Sequence, residues 1–354
     1  MEYLKALPRT LWEKVVHYNP NGYWVGVWPR TKAQCMKINI DKFVLSIIGI
    51  IIIAYFFPQW GTRESEIPID TISAIGISLI FFFYGLKLSP DKLRAGLKNW
   101  KLHALIQATT FLIFPLLVLI FRPFLQNEEQ ETMWLAFFFL AALPSTVSSS
   151  VVMVSMANGN IPSAIFNASI SGIIGIVITP LWMGLFVHEV QSDFDFMAIY
   201  MKLIVQIILP VLLGFSLQRF LGDFAQRHHS RLALFDKSII LLIIYKSFAV
   251  SFDDEIFSAV SLVDLFILFM GVMALFVVVF YLTGYMAGKL GFNREDQITA
   301  QFCGTKKSLV HGTVFSKILF GNMASIGIIL LPLMLFHATQ ILIISIMATR
   351  KSQT

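Results

Sequence analysis

The chain has 354 residues, of which 56% are hydrophobic and 14% charged. Soluble domains carry roughly 45–50% and 25%, so most of this surface must face something other than water. The length holds about ten spans of ~20 residues with short loops and excludes a sizeable soluble domain beside them. The net charge of +6 is spread over alternate loops, which makes it a topology signal and argues against nucleic acid as a partner. Cys35 and Cys303, the only cysteines, offer neither a disulfide framework nor metal-ligand spacing.

Met1–Asp41 is polar, aromatic and basic without an apolar run, so it reads as a cytoplasmic tail and not a cleavable signal. Trp12, Tyr18, Tyr23, Trp24 and Trp28 lie among its basic residues, a composition suited to the inner membrane surface or to a disordered tail. Apolar runs and their polar breaks then predict ten spans. The first five are Phe43–Phe57, Thr71–Leu86, Leu102–Phe121, Thr132–Met156 and Ile161–Val187; the second five are Met197–Leu221, Asp236–Phe252, Leu262–Lys289, Arg294–Phe320 and Ala324–Ala348. The expected organisation is a tail (1–41), a first five-helix repeat (42–221), a cytoplasmic linker (222–235) and the remaining helices (236–354), the second repeat starting near residue 197. In the linker, His228 and His229 read as solvated loop residues in preference to a pH sensor.

Loop charges set the orientation. With both termini cytoplasmic, the inside collects the basic tail, then Lys87, Lys92, Arg94, Lys98 and Lys101, then Arg219, Arg227, Arg231 and Lys237, then Lys289, Arg294, Arg350 and Lys351. The outside keeps Arg63 and Arg122 beside the acidic runs Glu64–Asp70, Glu128–Glu131 and Asp253–Glu255. One missed helix would swap every later loop and destroy this asymmetry, so the span count and the orientation support each other. Five spans per half also make the second half enter the membrane in the opposite sense, as an inverted repeat requires.

Spans four and nine correspond in such a repeat, and each is broken. Leu143-Pro144-Ser145-Thr146-Val147-Ser148-Ser149-Ser150 interrupts the fourth, and Cys303-Gly304-Thr305-Lys306-Lys307-Ser308 the ninth. Backbone at membrane depth leaves the helix only where protein or a water-filled cavity satisfies its N–H and C=O groups, so paired breaks point to a transport site between the repeats. Lys306 and Lys307 lie too far from either end to snorkel easily, and a charge at that depth costs several kcal/mol, so they need a role. One role is a fixed positive charge that attracts an anionic substrate or replaces a coupling cation; the alternative is a structural ammonium neutralising the helix ends that meet at the break. The hydroxyls of Ser145, Thr146, Ser148, Ser149 and Ser150 suit a hard cation or an anion's oxygens, or else a small-residue packing face.

Further polar residues lie within spans: Gln107 and Thr110 in the third, Asn167 in the fifth, His311 one turn after Lys307, and His337 and Gln340 in the tenth. Each can equally serve a neighbouring helix as a hydrogen-bond partner. Lys246 in span seven is placed to snorkel outward. No G-x-S-x-G, H-E-x-x-H, P-loop or dinucleotide turn appears, which leaves an intramembrane enzyme built on Ser149 and His311 as the weakest class and predicts a protein that is not an enzyme and holds no cofactor.

Several short matches carry a resemblance. They are Gly85-Leu86-Lys87-Leu88, Leu102-His103 with Gln107 and Pro115, Pro144 with Val147-Ser148-Ser149, Gly159-Asn160, Ala164-Ile165-Phe166-Asn167, Thr179-Pro180, Phe302-Cys303 with Lys307-Ser308-Leu309, and His337-Ala338-Thr339-Gln340-Ile341-Leu342. From Phe43 to Thr349 the chain resembles the bile acid:sodium symporter superfamily, most closely its sodium/bile acid cotransporter 7-like branch. The resemblance implies an all-α polytopic membrane protein. Its spans one, two, six and seven would form a panel domain and the others a core domain, with broken spans four and nine crossing near the midplane. It also implies two sodium sites near that crossing, built in sodium-coupled relatives from hydroxyls and an amide of spans four and five and from a glutamate, carbonyls and a glutamine of span nine. Ser149 and Ser150 fall near the span-four positions, and Thr110 near a span-three glutamine. In span nine, however, Gln301 stands about where the glutamate would be, Thr305 replaces the glutamine, and Lys306 and Lys307 follow. Trading a carboxylate for two ammonium groups makes a poor site for a hard cation.

The expected function is therefore alternating-access transport of a small organic anion across the lipid bilayer of a cell membrane, without a strict sodium requirement. Protons or sodium are the candidate coupling ions. The alternative is a non-transporting regulator of membrane ion balance with the same fold, since the resembled branch is associated with calcium homeostasis.

Overall fold

The computed structural model describes residues 16–18, 24–26, 42–62, 64–88, 99–146, 148–186, 201–259, 261–321, 323 and 325–353. The chain divides into two compact units, Met1–Asn39 and Ile40–Thr354.

In the first unit, β1 (Val16–Tyr18) pairs antiparallel with β2 (Trp24–Gly26), Val16 opposite Gly26 and Tyr18 opposite Trp24. This pair of three-residue strands is confined to the first unit and leaves the all-helical fold class in place. β-Branched and aromatic residues flank Asn19-Pro20-Asn21-Gly22, a turn-forming composition, but strands of three residues are too short for an alternating pattern to stand out. The rest of the tail, and the expectation that it lies on a membrane, fall outside the described residues.

The second unit is helical. In chain order it contains α1 (Lys42–Phe56), α2 (Ile69–Lys87), α3 (Trp100–Ala108), a π turn (Thr109–Ile113), α4 (Phe114–Leu119), α5 (Glu128–Ala142), α6 (Ser148–Met156) and α7 (Ile161–Gly184). A second π turn (Ile204–Ile208) leads into α8 (Leu209–Arg227), followed by α9 (His229–Asp253), α10 (Leu262–Lys289), α11 (Arg294–Gly304), α12 (Leu309–Phe320) and α13 (Ile326–Gln353). Side chains at the boundaries explain several starts. Asn127, Asn160 and Asn293 accept from backbone N–H groups in the first turns of α5, α7 and α11, and Ser261 with Asp264 forms a capping box on α10.

Among the described residues five continuous helices are long and apolar enough to cross a membrane: Ile69–Lys87, Trp100–Phe124, Ile161–Gly184, Met201–Arg227 and Leu262–Lys289. The other predicted spans are a shorter apolar helix (Phe43–Phe56), the apolar stretch Ile326–Gln340, the more polar α9, and the two broken pairs α5/α6 and α11/α12. The stretch 222–235, expected as a linker, is helical on both sides of His228. Ala225 and Leu232 are buried together there, and that packing extends the helices beyond their apolar runs.

The helices pack in two groups. In one, α2 lies along α8 and α9, and α1 lies along α9; in the other, α5, α10 and α12 pack on α13, α11 touches α3, α6, α7 and α10, and α6 touches α7 and α13. Contact between the groups runs chiefly through α9 against α12 and α13. The α2–α8 pair depends on two glycines. A Cβ on Gly85 would lie 2.3 Å from the carbonyl oxygen of Val211, and one on Gly214 would lie 2.1 Å from that of Phe82. Close backbone approach of this kind is how helices associate where apolar side chains gain nothing by leaving lipid.

Candidate functional site

The two breaks lie against each other and bond reciprocally. The N–H of Ser308 donates to the carbonyl of Pro144 at 2.9 Å, and the hydroxyl of Ser145 donates to the carbonyl of Cys303 at 2.8 Å. A helix end leaves up to four carbonyls without intrahelical donors, and at the end of α5 each has a partner. Leu143 N–H serves Leu140, the Thr179 hydroxyl serves Ala142 at 2.8 Å, and the Lys307 ammonium serves both Ala141 at 2.6 Å and Leu143 at 2.9 Å. The same ammonium donates to the carbonyl of Thr110, in the π turn after α3, at 2.8 Å and lies 4.1 Å from the centroid of the Phe114 ring. Its three N–H bonds are thus all used, and the ring face meets its charge. The backbone of Lys307 is held as well, by paired hydrogen bonds with the side-chain amide of Gln340 on α13.

Lys306 is equally buried, yet its Nζ has no hydrogen-bond partner among the described residues. Thr305 and Gln301 turn inward on their own helix and its neighbour: the Thr305 hydroxyl donates to the Gln301 carbonyl at 2.6 Å, and Gln301 Nε2 donates to Phe280 of α10 at 3.3 Å. Ser150 donates to the Thr146 carbonyl, and the Thr110 hydroxyl to Ile106 one turn back. The side chains of Ser148 and Ser149 lie outside the described residues. Asn167 bonds Gln107 at 3.1 Å and His103 at 2.7 Å, which joins α3 to α7. His337 is bonded to Gln340 at 3.2 Å.

A cavity of about 200 Å³ reaches the breaks, with buried Ser308 and His311 and half-buried Thr146 at its inner end and Lys87, His229 and Asp236 towards its exposed end. Its walls are Phe81 and Tyr84 of α2 on one side and Ser169 of α7 on the other, so it lies between the two helix groups. His311 Nδ1 bonds the Ser308 hydroxyl at 2.9 Å, whereas its buried Nε2 has no hydrogen-bond partner among the described residues. The structure therefore separates the residues expected at the site. Thr146, Ser308 and His311 line a cavity, while Lys306 and Lys307 lie in packed interior beside it.

Some participants could not be picked out from sequence. Phe114 and the Thr110 carbonyl matter because of the π turn, which has no sequence signature, and Tyr84 matters because its hydroxyl reaches the Ser169 carbonyl at 2.5 Å. The carbonyls converging at the break already accept from an ammonium, and the described residues hold no group of three or more His, Cys, Asp or Glu side chains placed to bind a metal.

The chain is similar over most of its length to several known proteins. The chain is 35% identical over 310 residues to an uncharacterised protein of Pseudomonas aeruginosa, covering 88% of this chain and 92% of the relative. It is 34% identical over 319 residues to the putative symporter YfeH of Escherichia coli, covering 89% and 94%. It is 30% identical over 318 residues to the sodium/bile acid cotransporter 7 of Xenopus tropicalis, covering 88% and 91%. Paired broken helices, a buried polar junction and a cavity beside it suit a transporter and not an enzyme, and with the family model matching residues 41–353 the chain belongs to the SBF-like CPA transporter family.

Proposed function

We propose that this protein is a secondary transporter that moves a small organic anion by alternating access across a cell membrane, without a strict requirement for sodium. In this reading it has ten spans in two inverted five-helix repeats and cytoplasmic termini. The helices α1, α2, α8 and α9 form a panel that rocks against a core made of the others. The observation that carries the reading is the reciprocal bonding of the two breaks, Ser308 to Pro144 and Ser145 to Cys303, at the end of a cavity between the two helix groups. Irregular backbone at that depth is tolerated where it lines such a path.

The chemistry of the junction favours an anion. Lys306 and Lys307 lie beside the inner end of the cavity with no carboxylate paired to either among the described residues, and an uncompensated ammonium such as Lys306 is stabilised by a negative substrate arriving within a few ångströms. Thr146, Ser308 and His311 offer donors along the cavity wall for the oxygens of such a substrate. Lys307 supports independence from sodium, because its tethered ammonium makes the carbonyl bonds that a bound cation would make. The names of the relatives, a putative symporter and a sodium/bile acid cotransporter, put bile-acid-like carboxylates among the substrates to try first.

The test is uptake of radiolabelled organic anions into proteoliposomes, in sodium buffer and in choline buffer, at several pH values. Saturable uptake should persist in choline and weaken in Lys306→Ala and in Lys307→Ala. A strict, saturable sodium requirement that survives both substitutions would overturn the sodium-independent mechanism, and absence of uptake across a broad anion panel would overturn transport itself.

A further inference from the structure

A second cavity, of about 230 Å³, is lined by Asp70, Lys246, Ser247 and Lys317. It lies at the opposite end of the helices from the first. Asp70 begins α2, whereas Tyr84 and Lys87 end it, and Lys317 is in the last turn of α12, whereas His311 is in the first. Loop charges assign this end to the outside.

Both ammonium groups, Lys246 and Lys317, pair with the one carboxylate of Asp70. The lysine side chains are only 14% and 18% exposed, while Asp70 is 61% exposed, so the cations belong to the wall and the anion comes from the open side. Lys202 lies within electrostatic reach of Lys317, and among the described residues no other carboxylate pairs with these lysines. Like charges held together in a partly buried setting repel, so the cluster holds its shape by keeping an anion between them. One carboxylate leaves net positive charge.

We propose that Lys246 and Lys317 form a carboxylate-binding site, that Asp70 is its resident occupant, and that an organic anion arriving from outside takes Asp70's place. The proposal rests on the anion-transport reading above. It also supplies a release step. Asp70 and Lys246 belong to the α2/α9 group and Lys317 to the other, so exchanging Asp70 for a free carboxylate removes an ion pair that ties the groups together at this end.

The experiment uses the purified full chain in detergent with Cys35→Ser, Cys303→Ala and Ser247→Cys, and compares labelling of the introduced thiol by an anionic and a cationic methanethiosulfonate. Adding Asp70→Asn should raise the anionic-to-cationic rate ratio by about tenfold, as expected for removing one nearby negative charge. Benzoate, the probe anion, should then slow labelling saturably, and neutral benzyl alcohol should not. Adding Lys317→Gln should abolish both effects. A second readout needs no cysteine: benzoate should raise the thermal midpoint of Asp70→Asn but not of Asp70→Asn with Lys317→Gln. An unchanged rate ratio in Asp70→Asn, or benzoate protection that survives Lys246→Gln with Lys317→Gln, would overturn the proposal. Because both readouts measure binding in detergent, lost charge selectivity with intact uptake rejects this site alone. Benzoate protection without any uptake supports the site and rejects transport.

Discussion

Replacing Lys307 by methionine tests whether one ammonium holds the junction together. Methionine keeps most of the side-chain volume and removes the donors, leaving the carbonyls of Thr110, Ala141 and Leu143 without the bonds they accept at 2.8, 2.6 and 2.9 Å. Each buried acceptor left unpaired costs about 1–3 kcal/mol, which gives an upper bound of roughly 3–9 kcal/mol. Removing the charge also relieves its own desolvation, which offsets several kcal/mol, so the net loss should fall below that bound while remaining clearly destabilising. Lys306→Met is the internal control. Its Nζ makes no hydrogen bond among the described residues, so that substitution should be neutral or stabilising while still weakening uptake. The assay is thermal and denaturant unfolding of both variants in one detergent, in choline buffer. Equal stability of Lys307→Met and the parent, or an equal fall in both variants, would refute the structural division of labour between these adjacent lysines.

Other expectations follow from particular contacts. Cysteines introduced as Thr62→Cys and Asn127→Cys should react with an impermeant thiol reagent from outside intact cells and Gly96→Cys should not; outside labelling of Gly96→Cys would overturn the orientation. Gly214→Leu should destabilise the α2–α8 pair strongly and lower the yield of folded protein, since even a Cβ would approach the Phe82 carbonyl to 2.1 Å; a parent-like thermal midpoint would contradict this packing. Asp296 is buried and accepts from Asn99 at 2.7 Å and Asn160 at 2.8 Å, so Asp296→Ala strands two amide donors and should cost about 2–4 kcal/mol, read by denaturant unfolding. Asn160→Ala in the same chain should then cost less than it does alone, because the pair shares one bond.

What the sequence determined by itself was whatever is written in local composition. Apolar length and loop charge are additive along the chain, so the membrane class and the positions of most helices could be read directly, as could the two polar breaks at Pro144 and at Lys306-Lys307. The family could be read too, since its matching residues are scattered over both halves. The tertiary structure decided which lysine is bonded and which is not. Both lysines lie in the non-helical break between α11 and α12, and only the packing of the π turn after α3, of α5 and of α13 around that break gives Lys307 three carbonyls and Lys306 none among the described residues. It also decided that Thr146, Ser308 and His311 line a cavity while Gln301 turns to α10. Asp70, Lys246 and Lys317 are separated by up to 247 positions and carry no shared pattern, so their meeting required the fold. Charge and hydropathy act locally and can be read one residue at a time. A hydrogen-bond partner is a property of two places in space.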